Sequence, residues 1–181
     1  EERSLTSAYR NPKRVPRPQG QGLNDLYARF FGMAERRIVE KTGRGIVCFI
    51  SNYSWLDGLS HAGMRERFLD VFDGIWIDNL NGDKYRTGKL TPDGQPDPSI
   101  FSTEANPEGI QVCTAIATLV RKTAHRPSEA VFFRDLWGKT KRQQLTTAAS
   151  YQTLLPDLEL GYPLLPGLVG ATYLAWPRLP D

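Results

Sequence analysis

The sequence predicts an α/β domain whose sheet finishes antiparallel, and three observations carry that expectation. Helical periodicity over residues 23–41 and 60–72 alternates with short apolar runs at 45–50 and 73–79. A long polar segment, 80–109, then separates these from two further apolar runs. Composition agrees with a domain large enough to hold a core: 181 residues, 40% hydrophobic and 24% charged.

The chain opens on a proline-punctuated basic segment, with Arg3, Arg10, Lys13, Arg14 and Arg17 among few apolar residues. Such a stretch reads as a solvated linker or as an arm that contacts phosphates. It begins Glu-Glu without a methionine, as expected of a piece of something longer. The first helix follows as "LNDLYARFFGMAERRIVEK", with Leu23, Leu26, Tyr27, Phe30, Phe31, Ala34 and Ile38 on its apolar face. Asn24 or Asp25 is placed to cap it, and Gly43 and Gly45 to end it.

"GIVCFI" is a continuous apolar run, the pattern of a strand covered on both faces in a parallel sheet. The second helix, "SHAGMRERFLDVF", turns Met64, Phe68, Leu69 and Phe72 inward from a cap at Ser60. Glu66 and Asp70 on it sit at helical spacing, which suggests a solvated face. "DGIWIDN" is the next strand. "IQVCTAIATLVRK" and "AVFFRDL" follow the long loop and, with the turn at Pro127 between them, suit a hairpin. Residues 139–155 read as a helix with a solvated basic face at Lys139–Arg142, and a proline-rich tail closes the chain.

Net charge is +3, compatible with a polyanionic partner without requiring one. No apolar run approaches the roughly 20 residues of a membrane helix. Cys48 and Cys113 each lie inside an apolar run, as buried thiols of a reducing cytoplasm do. His61 and His125 have no ligand-like spacing, so no metal site is expected. Neither G-x-G-x-x-G, G-x-S-x-G, H-E-x-x-H nor a phosphate loop occurs.

In open α/β sheets ligands bind beyond the carboxyl ends of the strands, where "SNYSW" falls. That puts Asn52, Tyr53 and Trp55 on the functional edge without saying what they do. Lys84, Tyr85, Arg86 and Lys89 lie in the long loop, which either reaches DNA phosphates or is disordered surface.

Taken in order, "NDLYARFFGMAERRI", "GRGIVCFISNYSWLDGLSHAGMRERFL", "DGIWIDNLNG" and "VCTAIATLV" resemble one family. It is the amino-directed, adenine-specific DNA methyltransferases, especially those in large single-polypeptide restriction–modification enzymes that also carry nuclease and helicase parts. The resemblance covers about residues 20–122. Its N-P-P-Y loop and glycine-rich F-x-G-x-G are both absent from this sequence. The resemblance thus implies the C-terminal half of a Rossmann-like, S-adenosylmethionine-dependent methyltransferase sheet with an antiparallel final strand or hairpin. It implies a linker or arm at 1–20, the half-domain at 21–136 and a connector towards target recognition at 137–181.

On that reading no catalytic residue lies in the chain, and its partners are double-stranded DNA and the upstream half of the domain. Leu26 and Phe30 match the family's position against the cofactor, S-adenosylmethionine. Asn52, Tyr53 and Trp55 are the candidates for the wall of the target-base pocket, since an amide can bond a base edge and aromatic rings can stack on it. A structural turn with a buried tryptophan is the competing account. Arg10, Lys13, Arg14, Arg17, Lys84, Arg86 and Lys89 are the candidate DNA contacts. A flipped adenine would receive a methyl group on its exocyclic amine. A non-catalytic DNA-binding or coupling module of the same shape, and an RNA or small-molecule methyltransferase, are the alternatives.

Overall fold

A computed structural model describes residues 2–18, 20–147, 150–167 and 175–176. Among the described residues there are four α-helices: α1 (Ser7–Arg10), α2 (Leu26–Arg36), α3 (Ala62–Val71) and α4 (Lys141–Thr146). Five strands form one sheet: β1 (Gly45–Asn52), β2 (Gly74–Asn79), β3 (Thr114–Arg121), β4 (Val131–Asp135) and β5 (Gln152–Leu154). The spatial order is β1-β3-β2-β4-β5. β3 is antiparallel to both β1 and β2, β2 and β4 are parallel, and β5 is antiparallel to β4. The architecture is α/β with a mixed sheet.

Two strand expectations are corrected. β1 is not an interior parallel strand. It is an edge strand antiparallel to β3, with Gly45 opposite Arg121 and Asn52 opposite Thr114. Val47 and Phe49 turn to the core while Ile46, Cys48 and Ile50 stay exposed. Cys48 is thus not the buried thiol expected, whereas Cys113 is. An unbroken apolar run does not distinguish two covered faces from one covered and one bare face.

Nor do β3 and β4 form a hairpin. The connection between them is pinned to the end of α3 and the turn into β2. Ser128 N–H donates to Leu69 O (2.8 Å), and Asp73 accepts from the amides of Lys122 and Arg126 and meets the His125 ring. That route carries the chain past β2, where β4 pairs in parallel from Trp76–Phe132 to Asn79–Asp135.

The core is a run of aromatic contacts. Phe31 of α2 meets Phe49, Trp55 and Phe68 at ring centroid distances of 5.1, 5.5 and 5.4 Å, and Phe68 continues to Phe72 and Tyr9. Met64, Phe68, Leu69 and Phe72 are all buried, as their spacing predicts. α2 behaves otherwise. Phe31 and Ala28 are buried, but Leu26 and Phe30 are 67% and 53% exposed, so neither packs in the helix-to-sheet core. Asp25 and His61 occupy the N-caps of α2 and α3 without a side-chain cap bond, so the cap position of α3 falls one residue after Ser60. Gly43, at φ +69°, ends the π-helical turn Arg37–Thr42 that extends α2.

The basic opening is folded onto the domain. Tyr9 and Val15 are buried, and neither Gly32 nor Gly63 leaves room for a Cβ beside the backbone of Leu5 and Tyr9. Glu66 anchors it. This nearly buried carboxylate accepts the amides of Lys13, Arg14 and Val15 at 2.6–2.9 Å. Burial raises its pKa, but those three amides and Arg14 outweigh that and hold it below the usual range.

At the other end, the helix expected over 139–155 stops at Thr146, and Gln152–Leu154 is a strand. Of the expected connector, residues 148–149, 168–174 and 177–181 lie outside the described residues.

Candidate functional site

The β1 strand ends in a turn built by its own side chains. Asn52 Oδ1 accepts the Ser54 amide (2.7 Å) and hydroxyl (2.5 Å), so the amide oxygen is committed to the turn. The next residues are fixed from α3. Arg65, 1% exposed, donates to the carbonyls of Trp55 (2.9 Å), Gly58 (2.8 Å) and Gly161 (2.7 Å). Burial lowers its pKa to about 10, against the opposing pull of Asp57, and it stays charged at neutral pH.

Trp55 is a correction to the expected wall. Its ring is wholly buried against Phe31 and Phe68, with Nε1–H donated to Ser51 Oγ at 3.2 Å. The competing account, a turn anchored by a buried tryptophan, holds.

The segment 80–113 completes the site, and it is ordered by buried carboxylates. Asp83 Oδ1 accepts the amides of Tyr85 and Arg86 (both 2.7 Å), and its Oδ2 accepts the Cys113 amide (2.9 Å). Asp97, fully buried, accepts the amides of Gly82 and Gly138 (both 2.7 Å) and pairs with Lys141. Lys141 is thus buried, not part of a solvated basic face. Between them Asn79 and Asn81 donate to Asp135 at 2.8 and 3.0 Å. Asn81 and Gly82 both take positive φ, +48° and +75°, turning the chain sharply after β2.

The result is a cleft of about 340 Å³ lined by Asn52, Tyr53, Asp57, Asp83, Tyr85 and Arg86, together with Ser54, Gly58 and Val112. Arg86 crosses it, its guanidinium 5.1 Å from the Tyr53 ring centre and 3.5 Å from Asp57. Tyr85 is largely exposed, and its hydroxyl donates to Gln111 at 2.9 Å. Burial raises the pKa of Asp57, opposed by Arg65. The cleft combines the nearly buried Tyr53 ring, which Arg86 covers, with an amide, a carboxylate and an exposed guanidinium, a set that suits a planar, hydrogen-bonding ring.

The structure brings together Asn52, Tyr53 and Arg86, and separates the rest. Lys84 and Lys89 both pair with Glu108, at 3.5 and 3.2 Å. None of the opening's four candidate DNA contacts, Arg10, Lys13, Arg14 and Arg17, lines the cleft. Arg10 donates to Asn24, and Arg14 pairs with Asp70 and covers the Tyr162 ring, while Lys13 and Arg17 are exposed. Leu26 and Phe30 lie on α2, outside the cleft. The histidines are used locally, His61 with Tyr27 and His125 with Asp73.

Asp57 and Asp83 are the acidic lining residues that sequence reasoning did not place in the site. "NLNGDKY" held the available signal, since Asn-Gly-Asp after a strand is turn chemistry that demands partners.

No protein-family model matches the chain, and no curated protein matches it. Solved structures do. The ATP-dependent Type ISP restriction-modification enzyme LlaBIII bound to DNA aligns with TM-score 0.64 over 88% of this chain. A nuclease-deletion mutant of the Type ISP restriction-modification enzyme LlaGI, in complex with a DNA substrate mimic, aligns with 0.64 over 90%. The DrdV–DNA complex gives 0.63 over 88%. Sequence identity is 21% in all three. The likeness is one of fold. This chain spans 11%, 13% and 15% of the LlaBIII, LlaGI and DrdV chains respectively. No helix among the described residues is long and apolar enough to cross a membrane.

Proposed function

We propose that the chain is part of a restriction–modification enzyme that acts on DNA, and that its part is the C-terminal half of an adenine-specific methyltransferase domain. The fold likeness to two Type ISP enzymes across nearly nine-tenths of the chain carries the first statement. Two things support the second: the ordered resemblance over residues 20–122, and an antiparallel β3 seated between β1 and β2.

In this reading S-adenosylmethionine supplies the methyl group. The residues present fit its aromatic end, because Leu26 and Phe30 lie one helical turn apart and the domain's own core does not use them. An aliphatic and an aromatic side chain so placed would hold a flat heterocycle against α2. The cleft takes the flipped base. Tyr53 provides the stacking face, and Arg86 either stacks on the base or leaves it for a phosphate. The Asn52 amide nitrogen and the Asp57 carboxylate meet its polar edge. The chemical step itself belongs to residues outside this chain.

The test is methyl transfer from labelled S-adenosylmethionine to duplex DNA by the longer polypeptide that contains this chain. Label in adenine, reduced by Phe30→Ala and by Asn52→Ala with folding intact, supports the assignment. A folded polypeptide that binds DNA in a salt-dependent way and transfers no label defeats the methyltransferase half of the reading.

A further inference from the structure

Arg65 keeps its charge while buried, and its four hydrogen bonds all go to backbone carbonyls. Nη1 donates to Trp55 O and Gly58 O, on either side of Asp57. Nε and Nη2 both donate to Gly161 O, at 3.0 and 2.7 Å. None goes to a carboxylate among the described residues. A buried guanidinium held this way is tolerated only while its acceptors stay in place. Half of the bonds reach a carbonyl 96 positions away in the sequence.

The segment 157–164 that supplies this carbonyl has an unusual backbone. Gly161 and Tyr162 take φ +73° and +57°, two left-handed residues in succession, the second with a full side chain. Their amides close on Leu158 O and Asp157 O, at 2.9 and 2.7 Å, which leaves the Gly161 carbonyl to Arg65. Leu164, wholly buried, adds a second tie from its amide to Leu56 O at 2.7 Å. Both ties end within Trp55–Gly58, the stretch that brings Asp57 and Gly58 to the cleft.

We propose that Arg65 is a positioning residue of the cleft, and that through it the seating of 157–164 sets the place of Asp57. If the segment leaves its seat, Arg65 loses both bonds to Gly161 while its charge stays buried. Unpaired N–H groups there cost stability, so the side chain turns to water or other carbonyls and releases Trp55 O and Gly58 O. The turn then loosens at Asp57, and Arg86 loses its partner. Lysine cannot substitute, because one ammonium does not span three carbonyls as a planar fork does. The link stands on these contacts alone, but that it governs a base pocket rests on the function proposed above.

Hydrogen exchange of the 181-residue chain reads the link at the Leu56 and Gly58 amides, which close the turn on Tyr53 O and Ser54 O. Gly161→Ala, strained at φ +73°, should speed exchange at both by about tenfold. Gly161→Val should do more, and neither should alter the β3 amides of Ala117 and Leu119. Arg65→Lys should loosen the same two amides. Adding Gly161→Ala to it should then change them by less than about twofold, because the transmitting side chain is already gone. Leu56 and Gly58 amides that ignore Gly161→Ala overturn the proposal. So do effects that multiply in the double variant, since Arg65 would then be packing only. Should Arg65→Lys or Gly161→Val not fold, Gly161→Ala decides alone. In the longer polypeptide, Gly161→Ala should lower the turnover of methyl transfer and leave KM for S-adenosylmethionine as it was. Unchanged turnover, or a raised KM for the cofactor, overturns the positioning role. A longer polypeptide that transfers no label defeats the proposed function instead, and exchange in the 181-residue chain still decides the link.

Discussion

Lys141 Nζ lies 2.6 Å from Asp97 Oδ1, with the two side chains 2% and 0% exposed. The pair joins α4 to the long β2–β3 segment, because Asp97 also accepts the Gly82 and Gly138 amides and Lys141 donates to Pro98 O. Burial pulls the lysine pKa down and the carboxylate pulls it back up, leaving it lowered. Lys141→Met strands a buried carboxylate and should cost about 3–5 kcal/mol in urea denaturation. The 80–113 segment should become protease-sensitive before the sheet does.

Glu66→Gln tests the tether of the opening segment. An amide oxygen accepts fewer and weaker bonds than the carboxylate that now closes three amides, so about 1–3 kcal/mol should be lost. Trypsin should then cut after Arg10, Lys13 or Arg14 well below the unfolding midpoint. Unchanged resistance would mean that Tyr9 and Val15 hold the segment alone.

Asp73 makes stability depend on pH. Burial pushes its carboxyl up, but the Lys122 amide, the His125 ring and the Arg126 amide outweigh it and bring the pKa to about 2. A depressed carboxylate contributes stability above its unfolded pKa, and loses it as pH falls through the folded value. Asp73→Asn should therefore cost about 1–2 kcal/mol at neutral pH. The gap to wild type should close between about pH 4 and pH 2. A constant gap down to pH 2 would show that the oxygen, not the charge, is what matters.

Arg86→Ala should leave stability nearly unchanged, because its side chain is 58% exposed and its ion pair with Asp57 is long. If the chain meets DNA at the cleft, the variant should lower the salt slope of duplex binding by about one phosphate contact. Lys84→Ala and Lys89→Ala should each change it less, since Glu108 holds both ammonium groups. Equal slopes for all three would place DNA elsewhere.

The two thiols should separate in a labelling experiment. Cys113 is buried, and burial first, with Asp83 second, pushes its thiol up to about 12, so it should react only on unfolding. Cys48 should react in the folded protein.

Periodicity was enough for α3, where Met64, Phe68, Leu69 and Phe72 recur on one face and that face is covered. The same reasoning misread α2, because Leu26 and Phe30 are apolar without being covered, and hydropathy records the first property only. Asn52 and Tyr53 were readable as a strand-end cluster. Asp83 and Asp97 were not, since their partners lie up to 44 positions away (Asp97 to Lys141) and polar residues count as surface until paired. Strand order escaped for the same reason. Nothing local to β4 says that it joins β2 in parallel instead of β3 in a hairpin.

The place of β3 also bears on how the chain folds. It lies between β1 and β2, yet it follows both in sequence and arrives only after the whole 80–113 segment. Until it inserts, β1 lacks the one strand it pairs with among the described residues, and β2 lacks one side. Closing so long a loop is slow to be rewarded, because its entropy is lost before the ladder forms. The rate-limiting step of folding should therefore be the arrival of β3. Substitutions along Ala115, Ala117 and Leu119 should slow folding more than they speed unfolding.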